Sequence, residues 1–190
     1  MIFNIMLAGV GGQGLTLMTR IIAQAALKDG YDMKSNDVVG LSQRGGMVWG
    51  NVRIGEKVYS PNIPVGEGDV LVALEPLEAL RWSHMVKDKG VIILNTKKVY
   101  PTSVQQEKQM YPDDAINELK EKFEVYEVNA SAEAIKIGKK QIANTILLGT
   151  LSKYLDIKVD TWREVITLNV PQKSIDENVR AFEYGKSLFV

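Results

Sequence analysis

An α/β fold is predicted for residues 1–190, taken as one domain: a mainly parallel sheet with helices on both faces, a hairpin insertion and a helical C-terminal tail. Three observations carry it. Apolar runs of strand length alternate with segments of helical period; the first run breaks at a glycine cluster and passes straight into a helix; and from Ser131 onward helical spacing takes over.

The first run, Ile2 to Ala8, ends at Gly9, Gly11, Gly12 and Gly14, and Gly9, Gly11 and Gly14 have G-x-G-x-x-G spacing. Leu15, Met18, Ile21, Ile22 and Ala25 then recur at three- and four-residue steps, one face of a helix. Strand, glycine turn and helix start stand in the order of a phosphate-binding βα unit. Residues without a Cβ allow positive φ and close approach of a ligand, and the helix N-terminus attracts an anion. The same glycines also suit a tight βα turn that binds nothing, and spacing alone leaves both open.

Tyr31 to Asn36 is short and polar, as an edge strand is. Val48 to Ile54 and Lys57 to Ser60, joined by Gly55 and Glu56, read as a hairpin. Asp69–Leu74 and Gly90–Asn95 are apolar enough to be buried strands, with a helix through Leu77, Leu80 and Arg81 between them. Asp113 or Asp114 is placed to cap a helix bearing Ile116, Leu119 and Phe123, and Glu124–Val128 reads as the last strand. Helices are then expected around 131–138, 141–154, 160–168 and 173–188, with Asp160 capping the third and Pro171 separating the last two.

Composition narrows the function. Lys plus Arg and Asp plus Glu both number 23, so no basic field draws in nucleic acid. No apolar run approaches the roughly 20 residues of a membrane span, and the N-terminal run leads into a glycine turn rather than a cleavage site, so a cytoplasmic location is expected. The chain has no cysteine and therefore no thiolate nucleophile, zinc–thiolate site or cysteine-ligated cluster. Its one histidine, His84, cannot build a multi-histidine metal site; near a helix end it is expected to interact with the dipole. No metal ligands and no catalytic acid, base or nucleophile are assigned.

A nicotinamide site would need an acidic residue about 20 residues past the glycines, at the end of the second strand. Asp32 precedes that strand and Asp37 lies in the polar segment KSNDVVG, so the fingerprint is incomplete. A second glycine-rich stretch, Gly40-Leu41-Ser42-Gln43-Arg44-Gly45-Gly46, offers the donors of Ser42 and Gln43, the Arg44 guanidinium and the flexible Gly45–Gly46 pair. That set suits a phosphate, a carboxylate or a partner's backbone, and also an ordinary solvated loop.

Four stretches together, GVGGQG, GLSQRGG, VYSPNIPVGEGDVLVALEPLEALR and VPQKSIDENVRAFEYG, resemble the gamma-type subunit of 2-oxoacid:ferredoxin oxidoreductases. Within that family the likeness is strongest to the beta subunit of indolepyruvate ferredoxin oxidoreductase, and it spans nearly the whole chain. The resemblance implies a Rossmann-like unit in an enzyme that oxidatively decarboxylates an arylpyruvate or other 2-oxoacid to an acyl-CoA and reduces ferredoxin. Thiamine diphosphate, magnesium and iron–sulfur clusters would sit on a partner subunit, this chain holding no cofactor alone and coenzyme A being the co-substrate. It further implies that Gly9, Gly11, Gly12, Gln13 and Gly14 contact a diphosphate. Ser42, Gln43, Arg44, Gly45 and Gly46 would then close the active site or touch the partner, with Tyr59, Ser60 and Pro61 part of the interface. Isolated copies would cover that face by dimerising. An independent NAD(P)-binding protein and a non-enzymatic nucleotide sensor are the alternative readings of the same glycine loop.

Overall fold

In the computed structural model, the described residues are 1–39, 45–100, 102–106 and 110–189. The chain runs β1 (Phe3–Val10), α1 (Leu15–Lys28), β2 (Asp32–Val39), β3 (Met47–Gly55), β4 (Gly68–Ala73), α2 (Pro76–Trp82), β5 (Val86–Asn95), α3 (Thr102–Gln105), α4 (Ala115–Lys120), β6 (Glu124–Val128), α5 (Ala130–Ile137), α6 (Ala143–Leu151), α7 (Val159–Asn169) and α8 (Ile175–Ser187). One sheet collects the strands in the order β2-β3-β1-β4-β5-β6. β1, β4, β5 and β6 are parallel, while β3 runs antiparallel to both β1 and β2.

The continuous apolar character of β1 follows from burial on both faces. Ile5 and Leu7 point to one side, into a core with α1, α6, α7 and α8 that includes Ile22, Leu147, Trp162 and Phe182. Met6 and Ala8 point to the other side, into a second core with Leu71, Ile92, Ala79 of α2 and Leu119 of α4. Among the described residues no helix is long and apolar enough to cross a membrane.

Two expectations are corrected. The hairpin is formed by β2 and β3, not by β3 and residues 57–60, because β1 and β2 already occupy both edges of β3. Side chains hold the segment after β3 instead. Asp32 Oδ2 accepts from the Val58 amide at 2.9 Å, and Arg53 Nη1 donates to the carbonyls of Ser60 and Asn62 at 3.1 and 3.0 Å. Asp160 does not cap α7, whose N-cap is Lys158; its carboxylate pairs with Arg163 one turn on. Asp29, just past α1, does that work from a distance, accepting from the Lys158 amide at 3.0 Å and the Thr161 hydroxyl at 2.9 Å. The Lys158 amide is the main reason the Asp29 carboxyl is held below its usual range.

Candidate functional site

The glycine turn lies outside the carboxyl end of β1, next to those of β4 and β5, where ligands bind in open α/β sheets. A cleft of about 500 Å³ opens there, with Gly11, Gly12 and Gln13 on one wall. Leu74 and Asn95 follow β4 and end β5, Lys97 and Val99 lie beyond β5, Ser131 starts α5, and Lys140, Gln141 and Asn144 lie at the entry to α6.

The glycines have separate duties. A Cβ on Gly9 would press on Leu74 and on Gln13 Oε1, so Gly9 serves packing. Gly14, the N-cap of α1 at φ +83°, leaves room for Asn144 Nδ2, which lies 2.8 Å from where its Cβ would be. Gly12, at φ +94°, faces open space. The Gly11 amide donates to the Gly46 carbonyl at 2.7 Å, so the end of the second glycine-rich loop sits on the first. Gln13 lines the cleft, but its side chain braces the turn: Oε1 accepts from the Val10 amide at 2.7 Å and Nε2 donates to the Leu74 carbonyl at 3.0 Å. Asn144 Nδ2 donates to the Gln13 carbonyl at 2.5 Å, tying α6 to the loop.

Ser42, Gln43 and Arg44 lie outside the described residues, whereas Gly45 and Gly46 are described beside Gly11. Tyr59, Ser60 and Pro61 follow the end of β3 that pairs with the start of β1, towards the far end of the sheet from the glycine turn, and Tyr59 is 86% exposed. His84 Nδ1 lies 2.9 Å from the Arg81 carbonyl at the end of α2, with its ring stacked on Trp82. Among the described residues no group of three His, Asp or Glu side chains is suited to a metal ion.

The acids considered for a ribose are engaged elsewhere. Asp32 holds Val58 and Lys34, and Asp37 Oδ1 accepts from the Thr19 hydroxyl at 2.7 Å. β2 is moreover separated from β1 by the antiparallel β3, so its end does not flank the glycine turn as a dinucleotide fold requires.

Sequence reading missed two buried carboxylates, the first of them directly after cleft-lining Leu74. Glu75 follows β4 and caps α2 by accepting from the Glu78 amide; it also accepts from the Tyr111 hydroxyl at 2.6 Å and the Val99 amide at 3.4 Å. Those bonds fasten the segment bearing Lys97 and Val99 to the sheet. Burial, then the Glu75 carboxylate, pushes the Tyr111 phenol well above its usual range. Glu78 is fully buried and pairs with Arg81 at 2.6 Å, yet burial pushes its carboxyl up to about 7.

The sign for Glu78 follows from linkage. Between the unfolded value of about 4.3 and the native value of about 7 the native state holds a proton that the unfolded state has lost, so stability falls as pH rises through that window. Glu78→Gln should therefore flatten the decline in Tm between those limits, read by calorimetry; an unchanged slope would remove Glu78 from the account.

The strands and helices define a Rossmann-like α/β domain with an open cleft at the strand carboxyl ends. A family model described as pyruvate ferredoxin/flavodoxin oxidoreductase matches residues 4–188, and the chain belongs to that family. It is 36% identical to the indolepyruvate oxidoreductase subunit IorB of Thermococcus kodakarensis, over 96% of this chain and 94% of that protein. Its fold is shared with the keto/oxoacid ferredoxin oxidoreductase gamma subunit of Geobacter sulfurreducens, at TM-score 0.71 and 24% identity over 96% of this chain and 95% of that one. The 2-oxoglutarate:ferredoxin oxidoreductase of Magnetococcus marinus, solved with 2-oxoglutarate, coenzyme A and succinyl-CoA, contains the same fold at TM-score 0.78 and 24% identity, over 98% of this chain and 31% of that one.

Proposed function

We propose that residues 1–190 act as one gamma-type unit, the subunit without thiamine or clusters of a cytoplasmic 2-oxoacid ferredoxin oxidoreductase whose substrate is indolepyruvate or a related arylpyruvate. The full-length similarity to an indolepyruvate oxidoreductase subunit carries this reading. The absence of cysteine agrees with it, because electrons must then reach ferredoxin through clusters on another chain. In the complete reaction the 2-oxoacid, coenzyme A and two oxidised ferredoxins give acyl-CoA, carbon dioxide, a proton and two reduced ferredoxins. Thiamine diphosphate with magnesium on the partner supplies the carbanion chemistry. The contribution of this chain is to bind and orient coenzyme A: Gly11, Gly12, Gly14 and the start of α1 meet its diphosphate, while Gly9 and Gln13 hold the turn in shape. Gly46 accepts from the Gly11 amide, and the role proposed for Ser42, Gln43, Arg44, Gly45 and Gly46 is contact with either that ligand or the catalytic partner. Half-buried Trp49, tilted against Trp82 at a centroid distance of 4.8 Å, and exposed Tyr59 contribute aromatic surface to the interface, with Ser60 and Pro61 beside Tyr59, and isolated copies cover that face by pairing with each other.

The purified chain alone should form no acyl-CoA from indolepyruvate. Adding the thiamine- and cluster-bearing subunit should restore CoA-dependent ferredoxin reduction and slow hydrogen exchange over 45–60. Acyl-CoA formation by the chain alone, or exchange that the partner leaves unchanged, would overturn the assignment it tests.

A further inference from the structure

We propose that Lys97 and Lys140 form a clamp for a dianionic phosphoryl group inside the cleft, distinct from the glycine turn. Each lysine belongs to an adjacent pair, and the two pairs are arranged alike. In Lys97–Lys98, Lys98 reaches Asp113 at 2.7 Å and lies over the Tyr111 ring. In Lys139–Lys140, Lys139 reaches Glu177 at 2.8 Å. The other member of each pair lines the cleft, and among the described residues neither Lys97 nor Lys140 forms an ion pair.

Their positions are fixed from two sides. Lys97 follows β5 by two residues, in the segment that Glu75 fastens through Val99. Lys140 opens the turn that leads into α6, which Asn144 ties to the glycine loop. Both side chains line the same cleft, and burial, then the neighbouring Lys140 charge, holds the Lys97 ammonium below its usual range. Two like charges kept together without a carboxylate repel, and a ligand carrying two negative charges relieves that repulsion. A phosphate monoester or diphosphate carries that charge, with oxygens for several ammonium donors, whereas a single carboxylate leaves one lysine uncompensated. The cleft is larger than a bare phosphate needs and falls within the range of small-molecule sites. Asn95 Oδ1, buried and without a partner among the described residues, is an acceptor available to the organic part of such a ligand. The anion follows from the lysines; its identity as a phosphate of coenzyme A rests on the function proposed above.

The test is isothermal titration of inorganic pyrophosphate, and separately of coenzyme A, into the full chain and its Lys97→Met, Lys140→Met and Lys98→Met variants. Loss of one charge-assisted contact should weaken pyrophosphate about tenfold in the first two. Lys98→Met, whose ammonium already serves Asp113, should bind as the wild type does. Thermal unfolding should show the first two variants at least as stable as the wild type, since a repulsion is removed. Wild-type affinity in both cleft variants overturns the clamp while leaving the coenzyme A reading of the glycine turn intact, whereas no pyrophosphate binding by the wild type overturns the clamp and counts against a diphosphate at the glycine turn as well. Weakened pyrophosphate binding with unchanged coenzyme A binding supports the clamp and assigns it to another phosphorylated ligand.

Discussion

Gly12→Val is expected to raise the coenzyme A requirement of the assembled enzyme by tenfold or more, with the apparent affinity for the 2-oxoacid nearly unchanged. Gly12 sits at φ +94° with nothing within 4 Å of where a Cβ would be, so a side chain there meets no protein and enters the cleft. Two costs must be separated: the strain of a β-branched residue at positive φ, on the order of 1–3 kcal/mol, and the collision with a ligand. The chain supplies its own control. Gly30, just past α1, has φ +93° and equally empty surroundings, and it does not line the cleft. Gly30→Val should lower Tm by about as much as Gly12→Val does, without touching the coenzyme A dependence. A diphosphate held by several main-chain N–H groups should lose more than the roughly 1 kcal/mol of one ordinary hydrogen bond, hence the tenfold expectation. If the two variants have the same coenzyme A requirement, the glycine turn is structural and the assignment fails.

What the sequence made legible follows from the range of the forces involved. β1, the glycine turn and α1 are readable because their signals are local: an apolar run buried on both faces, residues without a Cβ, then a period of 3.6. β4 and β5 are readable for the same reason, although β5 begins at Val86, earlier than the apolar run that reveals it. Which strand neighbours which is a different matter. VWGNVRI carries a strand signal and a turn signal after it, but nothing local says that β2 and β1 will occupy its two edges and leave Lys57 to Ser60 unpaired. Asp160 misled likewise, because Asp29 reaches the start of α7 from across the fold.

The site was half legible. Its glycine wall is a local motif, whereas Lys97, Lys140, Asn95 and Asn144 converge only once the sheet and α6 are assembled. One signal was available. Glu75 and Asn95 are polar residues that directly follow the apolar runs 70–74 and 91–94, which is where the carboxyl ends of a parallel sheet place ligand-facing or site-supporting groups. The doubled lysines carry no local signal of a site, since only the folded chain shows that Asp113 and Glu177 each pair with one member while the other lines the cleft.

Gly185→Ala should destabilise the chain, although the same change in an exposed helix usually stabilises it by about 1 kcal/mol. α8 crosses α6 with backbone against backbone. A Cβ on Gly185 would overlap the Ile146 carbonyl, and one on Gly149 would overlap the Phe182 carbonyl. The obstacle is main chain rather than a side-chain tip, so one helix must move, and overpacking of this kind costs about 3 kcal/mol. Subtracting the propensity gain leaves about 2 kcal/mol, or a fall in Tm of about 4–8 °C for a domain of this size. The displacement would not stay local. Thr150 donates to the Gly185 carbonyl at 3.1 Å, Thr145 to Asn178 at 2.6 Å, and Asn144, one residue before Thr145, anchors the glycine turn. Weaker pyrophosphate binding should therefore accompany the lower Tm, whereas Gly30→Val should lower Tm alone. A Gly185→Ala chain that melts at or above the wild-type temperature would show that α6 and α8 can separate freely, and the close crossing would lose its role in holding the cleft.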